Sequence, residues 1–248
     1  MSSPTLVGVS LKMYFGHAQT AAWVERVGEI AHATPAVAEG RVQLFVIPGY
    51  LSLASSVRAL EGSRVLVGAQ DVAAADTGAF TGEVGGPELA EIGVRLAEVG
   101  HAERRSLFGE TDETVALKTA AALRNGLTPV LCVGERMRTE PAAAAAECRR
   151  QIASALAGAA DGPVIVAYEP VWAIGAAEPA EPAYVTAVCA LLHAAVADRP
   201  GSAVIYGGSA GPGLLSELGP EVDGLFLGRF AHDPAALERV LAEAGARA

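Results

Sequence analysis

Side chains that can transfer protons follow several short apolar runs of this chain. Glu169 follows the run VIVAY, and Lys12 follows TLVGVS. His101 and Glu103 come shortly after a third run, VRLAEV. A carboxylate can remove a proton from a carbon beside a carbonyl, while an imidazole and an ammonium group stabilise the resulting enediolate oxygen. Each residue alone is also compatible with a structural or surface role, so the prediction of proton transfer depends on the set.

The elements that must position these side chains alternate along the chain. Near-continuous apolar strands separated by helices indicate a parallel sheet covered by helices. Eight such units in 248 residues predict a closed (β/α)8 barrel in a single domain, 1–248, with an open doubly wound sheet as the alternative. The predicted strands are 5–10, 42–47, 65–69, 94–99, 129–133, 164–168, 203–206 and 224–227. The predicted helical stretches are 17–33, 50–60, 87–92, 112–124, 140–158, 182–197, 211–218 and 234–244.

Composition excludes several classes of function. The formal net charge of -10, with 18 basic and 28 acidic residues, argues against a nucleic-acid surface. The three scattered cysteines provide no disulfide framework, and no spacing of Cys or His indicates a metal site. No apolar run is long enough to cross a membrane, and no leader pattern precedes the first strand. We therefore expect a cytoplasmic protein without metal, cofactor, nucleic-acid partner or membrane contact.

Four longer motifs carry a resemblance to a known family. They are GHAERR at 100–105, AYEPVWAIG at 167–175, YGGS at 206–209 and TGAFTGE at 77–83. With the predicted barrel, they make the chain similar to the triosephosphate isomerase family from the first strand to the eighth. The resemblance implies the TIM barrel fold and isomerisation of a small phosphorylated sugar, as in glycolysis and gluconeogenesis. It also implies the neutral histidine and closing lid for which triosephosphate isomerase itself is the standard example.

The resemblance assigns roles residue by residue. Glu169 is implied as the base, His101 as the electrophile, Lys12 as the electrostatic residue and Glu103 as a supporting ionic residue. The substrate would contact Ser10, Lys12 and loop residues that bind its phosphate through backbone N–H groups, namely Gly175, Ser209, Gly228 and Arg229. The first hinge of the lid would consist of Pro170, Val171 and Trp172. Thr81, in loop 77–83, matches the family's dimer loop and implies a homodimer.

Departures from the family's pattern fall near this site. The family has Asn-X-Lys after the first strand, whereas this chain has Ser10-Leu11-Lys12. A Gly-Gly pair after the last strand is replaced by Gly228-Arg229, and Ala102 stands where Ser is common. The lid reads IGAAEPAEP at 174–182, where Ala176, Ala177 and Pro179 would make it stiffer.

Three functions remain open from the sequence. The first is triosephosphate isomerisation with tolerated loop changes. The second is isomerisation of a four-carbon ketose phosphate, L-erythrulose 1-phosphate to D-erythrulose 4-phosphate, because Ser10 leaves room for one more carbon. The third is a barrel that binds sugar phosphates without turning them over, against which the joint presence of Lys12, His101, Glu103 and Glu169 speaks.

Overall fold

The strands form one closed parallel barrel in sequence order. A computed structural model describes residues 3–176 and 179–248. Strand β1 pairs with β2 on one side and with β8 on the other, where Leu6 lies opposite Gly224. This closure confirms the predicted barrel and excludes the open sheet. The strands are β1 Thr5–Ser10, β2 Val42–Ile47, β3 Leu66–Ala69, β4 Leu96–Val99, β5 Thr128–Val133, β6 Ile165–Tyr168, β7 Ala203–Tyr206 and β8 Gly224–Leu227.

The α-helices of the described residues surround the barrel. They are α1 His17–Ala33, α2 Pro35–Ala38, α3 Leu53–Ala59, α4 Gly86–Glu91, α5 Ala102–Leu107, α6 Asp112–Arg124, α7 Pro141–Leu156, α8 Pro182–Leu192, α9 Leu214–Glu217 and α10 Pro234–Arg247. The sequence patterns did not predict α2 or α5, both of which are short. The predicted helix 211–218 is reduced to α9, because Gly213 adopts a left-handed φ of 95° that a helix cannot continue through.

Inward-facing side chains fill the barrel interior. Phe45 of β2 and Phe226 of β8 stack with ring centroids 5.9 Å apart, over the space left by Gly8 of β1. Because side chains alternate along a strand, position 98 faces inward like Leu96, and position 10 faces inward like Gly8. The inner cluster consists of Leu6, Phe45, Ile47, Leu96, Val130, Cys132, Ile165, Ala167, Ala203, Ile205 and Phe226.

A larger apolar layer lies between the barrel and its helices. It includes Val7 and Val9 of β1 and the helix residues Val27 and Leu237, all of which are fully buried. This layer explains why the strands are apolar on both faces, as expected for a parallel sheet under helices. Among the described helices, none is both long and apolar enough to cross a membrane.

Candidate active site

A cleft of about 560 Å³ opens at the carboxyl ends of the strands. All of the residues predicted to perform the chemistry or bind the substrate line it: Ser10, Lys12, His101, Glu103, Glu169, Gly175, Ser209, Gly228 and Arg229. Tyr14, Phe226 and Phe230 complete much of its wall. Residues from both ends of the chain therefore converge, as they do at this face of barrels with this topology.

Glu169 lies immediately after β6, where its backbone N–H donates to the carbonyl of Val133 at 2.8 Å. Its side chain is buried beside Gly207, where a Cβ atom would approach Glu169 Oε1 to 2.7 Å. Burial raises the pKa of Glu169 to about 8, and the nearby charge of Glu98 adds to this increase. A carboxyl with a raised pKa is well matched to accepting and returning a proton near neutral pH.

His101 caps the amino end of α5. Its Nδ1 atom accepts a hydrogen bond from the backbone N–H of Glu103 at 3.1 Å, which leaves the imidazole proton on Nε2. The Nε2 atom lies 3.6 Å from Glu169 Oε2. Burial, together with the positive charge of Lys12, lowers the pKa of His101 to about 4. At neutral pH the ring is therefore an uncharged donor directed into the cleft.

Lys12 has a backbone conformation that is uncommon for a side-chain-bearing residue. Its φ is 50°, and its carbonyl accepts a 2.8 Å hydrogen bond from the amide of Gln70. The Nζ atom lies 2.8 Å from Glu103 Oε1. Burial opposes the charge of Lys12, but the hydrogen bond and charge of Glu103 outweigh it and raise the pKa. The turn therefore places a permanent cation at the cleft.

The two arginines of GHAERR hold α5 in place. Arg104 Nη2 lies 2.9 Å from Asp71 Oδ2, after β3. Arg105 Nη1 lies 2.7 Å from Asp112 Oδ1, at the start of α6. These ion pairs fix the short helix whose first turn donates to His101, so the motif is structural as well as chemical.

Glu98 is a residue near the site that the sequence interpretation missed. It lies in β4, is 3% exposed, and accepts a 2.9 Å hydrogen bond from Ser10 Oγ. Its Oε1 atom is 3.9 Å from His101 Nε2. Burial raises its pKa to about 7. A charged residue inside the apolar run VRLAEV was the available signal, since inward positions of such strands are normally apolar.

The segment predicted to form the lid is in contact with the loop after β7. Ser209 Oγ donates to the carbonyls of Ala173 at 3.0 Å and Ala176 at 3.1 Å. On the far side of the lid, the N–H of Ala180 donates to Tyr206 Oη at 3.0 Å. Ile174, Gly175 and Ala176 form part of the cleft lining. Ala177 and Glu178, part of the altered lid sequence, lie outside the described residues.

The predicted hinge lies outside the cleft lining. Pro170 immediately precedes a 3-10 turn, Val171–Ala173. Trp172 Nε1 donates to Glu135 Oε1 at 2.7 Å, and its ring packs edge-on against Tyr184. The N–H of Val171 donates to the carbonyl of Glu135. The start of the lid is thus attached to the loop after β5 rather than to the cleft.

The loops after β7 and β8, which lie between the strands that precede Glu169 and Lys12, also contribute backbone N–H groups to the cleft. Within 3–176 and 179–248, no protein acceptor is found for the N–H groups of Ser209 or Gly228. Arg229 is exposed and lines the same region. Loop N–H groups and one guanidinium can bind an anion in a protein of net negative charge.

Thr81 is remote from the cleft lining of its own chain. It is exposed, in the loop between β3 and α4, and Phe80 beside it is 55% exposed. Met13 and Leu51, in the loops after β1 and β2, are 96% and 93% exposed. Loops after three neighbouring strands therefore present apolar side chains to the surface. In the part of the chain that the structure describes, no cluster of three or more His, Cys, Asp or Glu residues could hold a metal ion.

Comparisons with known proteins agree with this geometry. The sequence profile described as triosephosphate isomerase matches residues 5–244. An L-erythrulose-1-phosphate isomerase of Pectobacterium atrosepticum is 54% identical, over 98% of this chain and 97% of that protein. One of Rhizobium etli is 42% identical, over 91% and 86%. A triosephosphate isomerase of a Synechococcus species is 37% identical, over 96% of each chain. The barrel, the convergent cleft and the full-length sequence match together establish that this chain belongs to the triosephosphate isomerase family.

Proposed function

We propose that this isomerase interconverts L-erythrulose 1-phosphate and D-erythrulose 4-phosphate. The observation that carries the proposal is the wall of the cleft at Ser10, where a short side chain directs its hydroxyl to Glu98. The names of the relatives support it, since the tetrulose phosphate isomerases are 54% and 42% identical and the triosephosphate isomerase is 37% identical.

The two candidate substrates differ by one group. L-Erythrulose 1-phosphate is dihydroxyacetone phosphate with a hydroxymethyl group on the carbon that loses its proton. The phosphate, the carbonyl and the reacting C–H bond are common to both molecules. The same proton-transfer residues can therefore serve either substrate, and selection depends on space and polarity beside the reacting carbon.

Glu169 is the proposed proton carrier. It removes the proton from C3, the C–H electron pair forms the C2–C3 double bond, and the carbonyl pair moves to O2. Glu169 then returns the proton to C2. His101 donates from Nε2 to O2 and receives the proton that leaves O3, so that the carbonyl forms at C3. Lys12 stabilises the negative oxygen, and Glu103 holds the ammonium group.

Phosphate binding is assigned to the loops after β6, β7 and β8. We assign it to the N–H groups of Gly175, Ser209, Gly228 and Arg229, with added attraction from the Arg229 guanidinium. The lid, hinged at Pro170, Val171 and Trp172, would open to admit the substrate and close through Ser209 and Tyr206. Closure excludes water, which strengthens the electrostatic interactions around the enediolate.

Assembly as a homodimer is part of the proposal. Met13, Leu51 and Phe80 give adjacent loops an exposed apolar surface of the kind that contacts partners. Loop 77–83 would place Thr81 against the cleft of the second copy. The proposed unit is a single barrel domain that functions in the cytoplasm as one of two identical subunits.

Triosephosphate isomerisation is the second candidate. It is favoured by the GHAERR segment, which departs from the family only at Ala102, and by the common set Lys12, His101 and Glu169. In that case the chain would serve glycolysis and gluconeogenesis, and Ser10 would be a tolerated substitution.

Turnover of pure protein decides between the candidates. We expect kcat/KM for L-erythrulose 1-phosphate to exceed that for dihydroxyacetone phosphate by at least tenfold. Faster conversion of the triose, at the roughly 10⁷ to 10⁸ M⁻¹s⁻¹ of highly efficient isomerases, would establish the second candidate instead. No turnover of either, with both still bound, would indicate a binding protein.

A further inference from the structure

A buried carboxylate pairs with Ser10 on the floor of the cleft. Ser10 of β1 and Glu98 of β4 are 88 positions apart in sequence, yet Ser10 Oγ donates to Glu98 Oε2 at 2.9 Å. Both side chains face the barrel interior, and they are 3% exposed. Because β1 and β4 are three strands apart in an eight-stranded barrel, the pair spans the interior beneath the cleft.

Burial of the Ser10–Glu98 pair lowers the stability of the folded protein, so a function is needed to account for the pair. Neighbouring inward positions are filled by Leu96, Val130 and Phe226, and an apolar side chain at position 98 would extend that cluster. Burying a carboxylate loses its hydration, and one hydrogen bond from a serine does not replace it. Among the described residues, Ser10 Oγ is the one protein donor in hydrogen-bond contact with this carboxylate. Oxygen Oε1 therefore retains the capacity to accept another hydrogen bond.

Oε1 of Glu98 lies close to the residues proposed to transfer protons. It lies 3.9 Å from His101 Nε2, which in turn is 3.6 Å from Glu169 Oε2. Glu98 thus lies directly behind Ser10 and His101, both of which line the cleft. The groups assigned to the phosphate are on loops at the barrel mouth, whereas the Ser10–Glu98 pair is inside the barrel. A substrate extended between them points its end without phosphate at the pair.

We propose that Glu98 is a specificity-determining residue that accepts a hydrogen bond from the terminal C4 hydroxyl of the tetrulose phosphate, with Ser10 holding its carboxylate in position. This inference rests on the proposed function, because only a four-carbon substrate has that hydroxyl. The short side chain of Ser10 provides the room, and Glu98 provides the polar partner. Dihydroxyacetone phosphate ends one carbon earlier and lacks the C4 hydroxyl.

The test compares substrates on the unaltered enzyme first. The probes are L-erythrulose 1-phosphate and its 4-deoxy analogue, which keeps the carbon and lacks the hydroxyl. A hydrogen bond to a charged group contributes about 10- to 100-fold, so we expect kcat/KM to fall by that factor for the analogue. Equal turnover of the two compounds, within threefold, overturns the inference. This comparison does not depend on any variant folding.

Two variants assign the preference to Glu98. Glu98→Leu keeps the volume and removes both oxygens, so its preference for the hydroxylated substrate should shrink to less than threefold. Glu98→Gln retains an acceptor and should keep a preference of at least fivefold. A Glu98→Leu enzyme that keeps the full preference contradicts the assignment. Failure of the unaltered enzyme to convert L-erythrulose 1-phosphate while it converts the triose refutes the proposed function itself and, with it, this inference.

Discussion

The buried carboxyl of Glu98 should make the stability of the protein depend on pH in a defined way. Burial raises the pKa of Glu98 from its ordinary value of 4.5 to about 7. The folded protein therefore binds this proton more tightly than the unfolded chain does. Between these two values, the free energy of unfolding falls as pH rises, because folding then requires a charge to be buried. Below pH 4.5 both states hold the proton and no penalty remains.

Glu98→Gln removes this penalty while keeping the shape of the side chain. Each tenfold change in proton affinity corresponds to about 1.4 kcal/mol, so the variant should gain on the order of 3 kcal/mol over the unaltered protein between pH 5 and pH 8. The gain should increase progressively across this range and level off above it. The substitution also removes the repulsion between the charges of Glu98 and Glu169, which contributes to the raised pKa of Glu169. This loss of repulsion also increases the stability of the variant.

Urea unfolding at several pH values measures the effect. The free energy of unfolding is extrapolated to water for the two proteins at one fixed protein concentration, because the apparent stability of the proposed dimer would depend on concentration. Glu25→Gln, on the exposed face of α1, is the matched control and should change the free energy of unfolding by no more than about 0.5 kcal/mol, as is usual for a surface substitution. A Glu98→Gln difference that stays constant within about 0.5 kcal/mol, the usual scale of a surface substitution, would refute the reasoning.

Four further predictions concern activity and assembly. Glu169→Gln should lower kcat by at least about 10³-fold, as measured by steady-state turnover, while inorganic phosphate binding by calorimetry changes less than threefold; equal loss of both would contradict the assigned roles. Because the pKa of Glu169 is raised to about 8, kcat/KM should fall as pH decreases from 8 to 6, and a flat profile would refute this. Ser10→Asn should shift the kcat/KM ratio at least tenfold toward dihydroxyacetone phosphate, with an unchanged ratio as the contrary result. Phe80→Glu should produce monomers in sedimentation velocity, whereas a matched change at the exposed Leu117 on α6 should not.

Much of the fold could be predicted because local sequence patterns specify most of its strands and helices. Strands β1, β2, β7 and β8 have the predicted bounds, since each is an apolar run whose end is marked by a polar residue, a proline or a glycine. Helix α5 was missed because it is one short stretch, AERRSL, held by ion pairs to Asp71 and Asp112 rather than by an apolar face. Such pairs join distant parts of the chain and leave no periodic signal.

Part of the candidate site could likewise be predicted from the sequence, and part could not. The sequence by itself indicated the proton-transfer set, because each of its residues follows a recognisable strand end, whereas the resemblance to the family implied the loop residues; the structure brings both groups to one cleft. The roles of these residues, the hinge and the dimer loop stay predictions. The alternation of strands and helices favoured a barrel but was also compatible with an open sheet, and the pairing of β1 with β8 decided for the barrel.

The partnership of Ser10 and Glu98 required the tertiary structure. In the sequence, Ser10 stood out because it replaces the family's Asn, and Glu98 was not singled out within the apolar run VRLAEV. Barrel closure turns both inward and brings them to 2.9 Å across 88 positions. Contacts of this kind arise from the curvature of the whole sheet, to which every strand contributes. Residue types and spacing therefore predicted the chemistry of this protein, whereas closure of the barrel decided that a buried carboxyl, Glu98, lies behind the cleft residues Ser10 and His101.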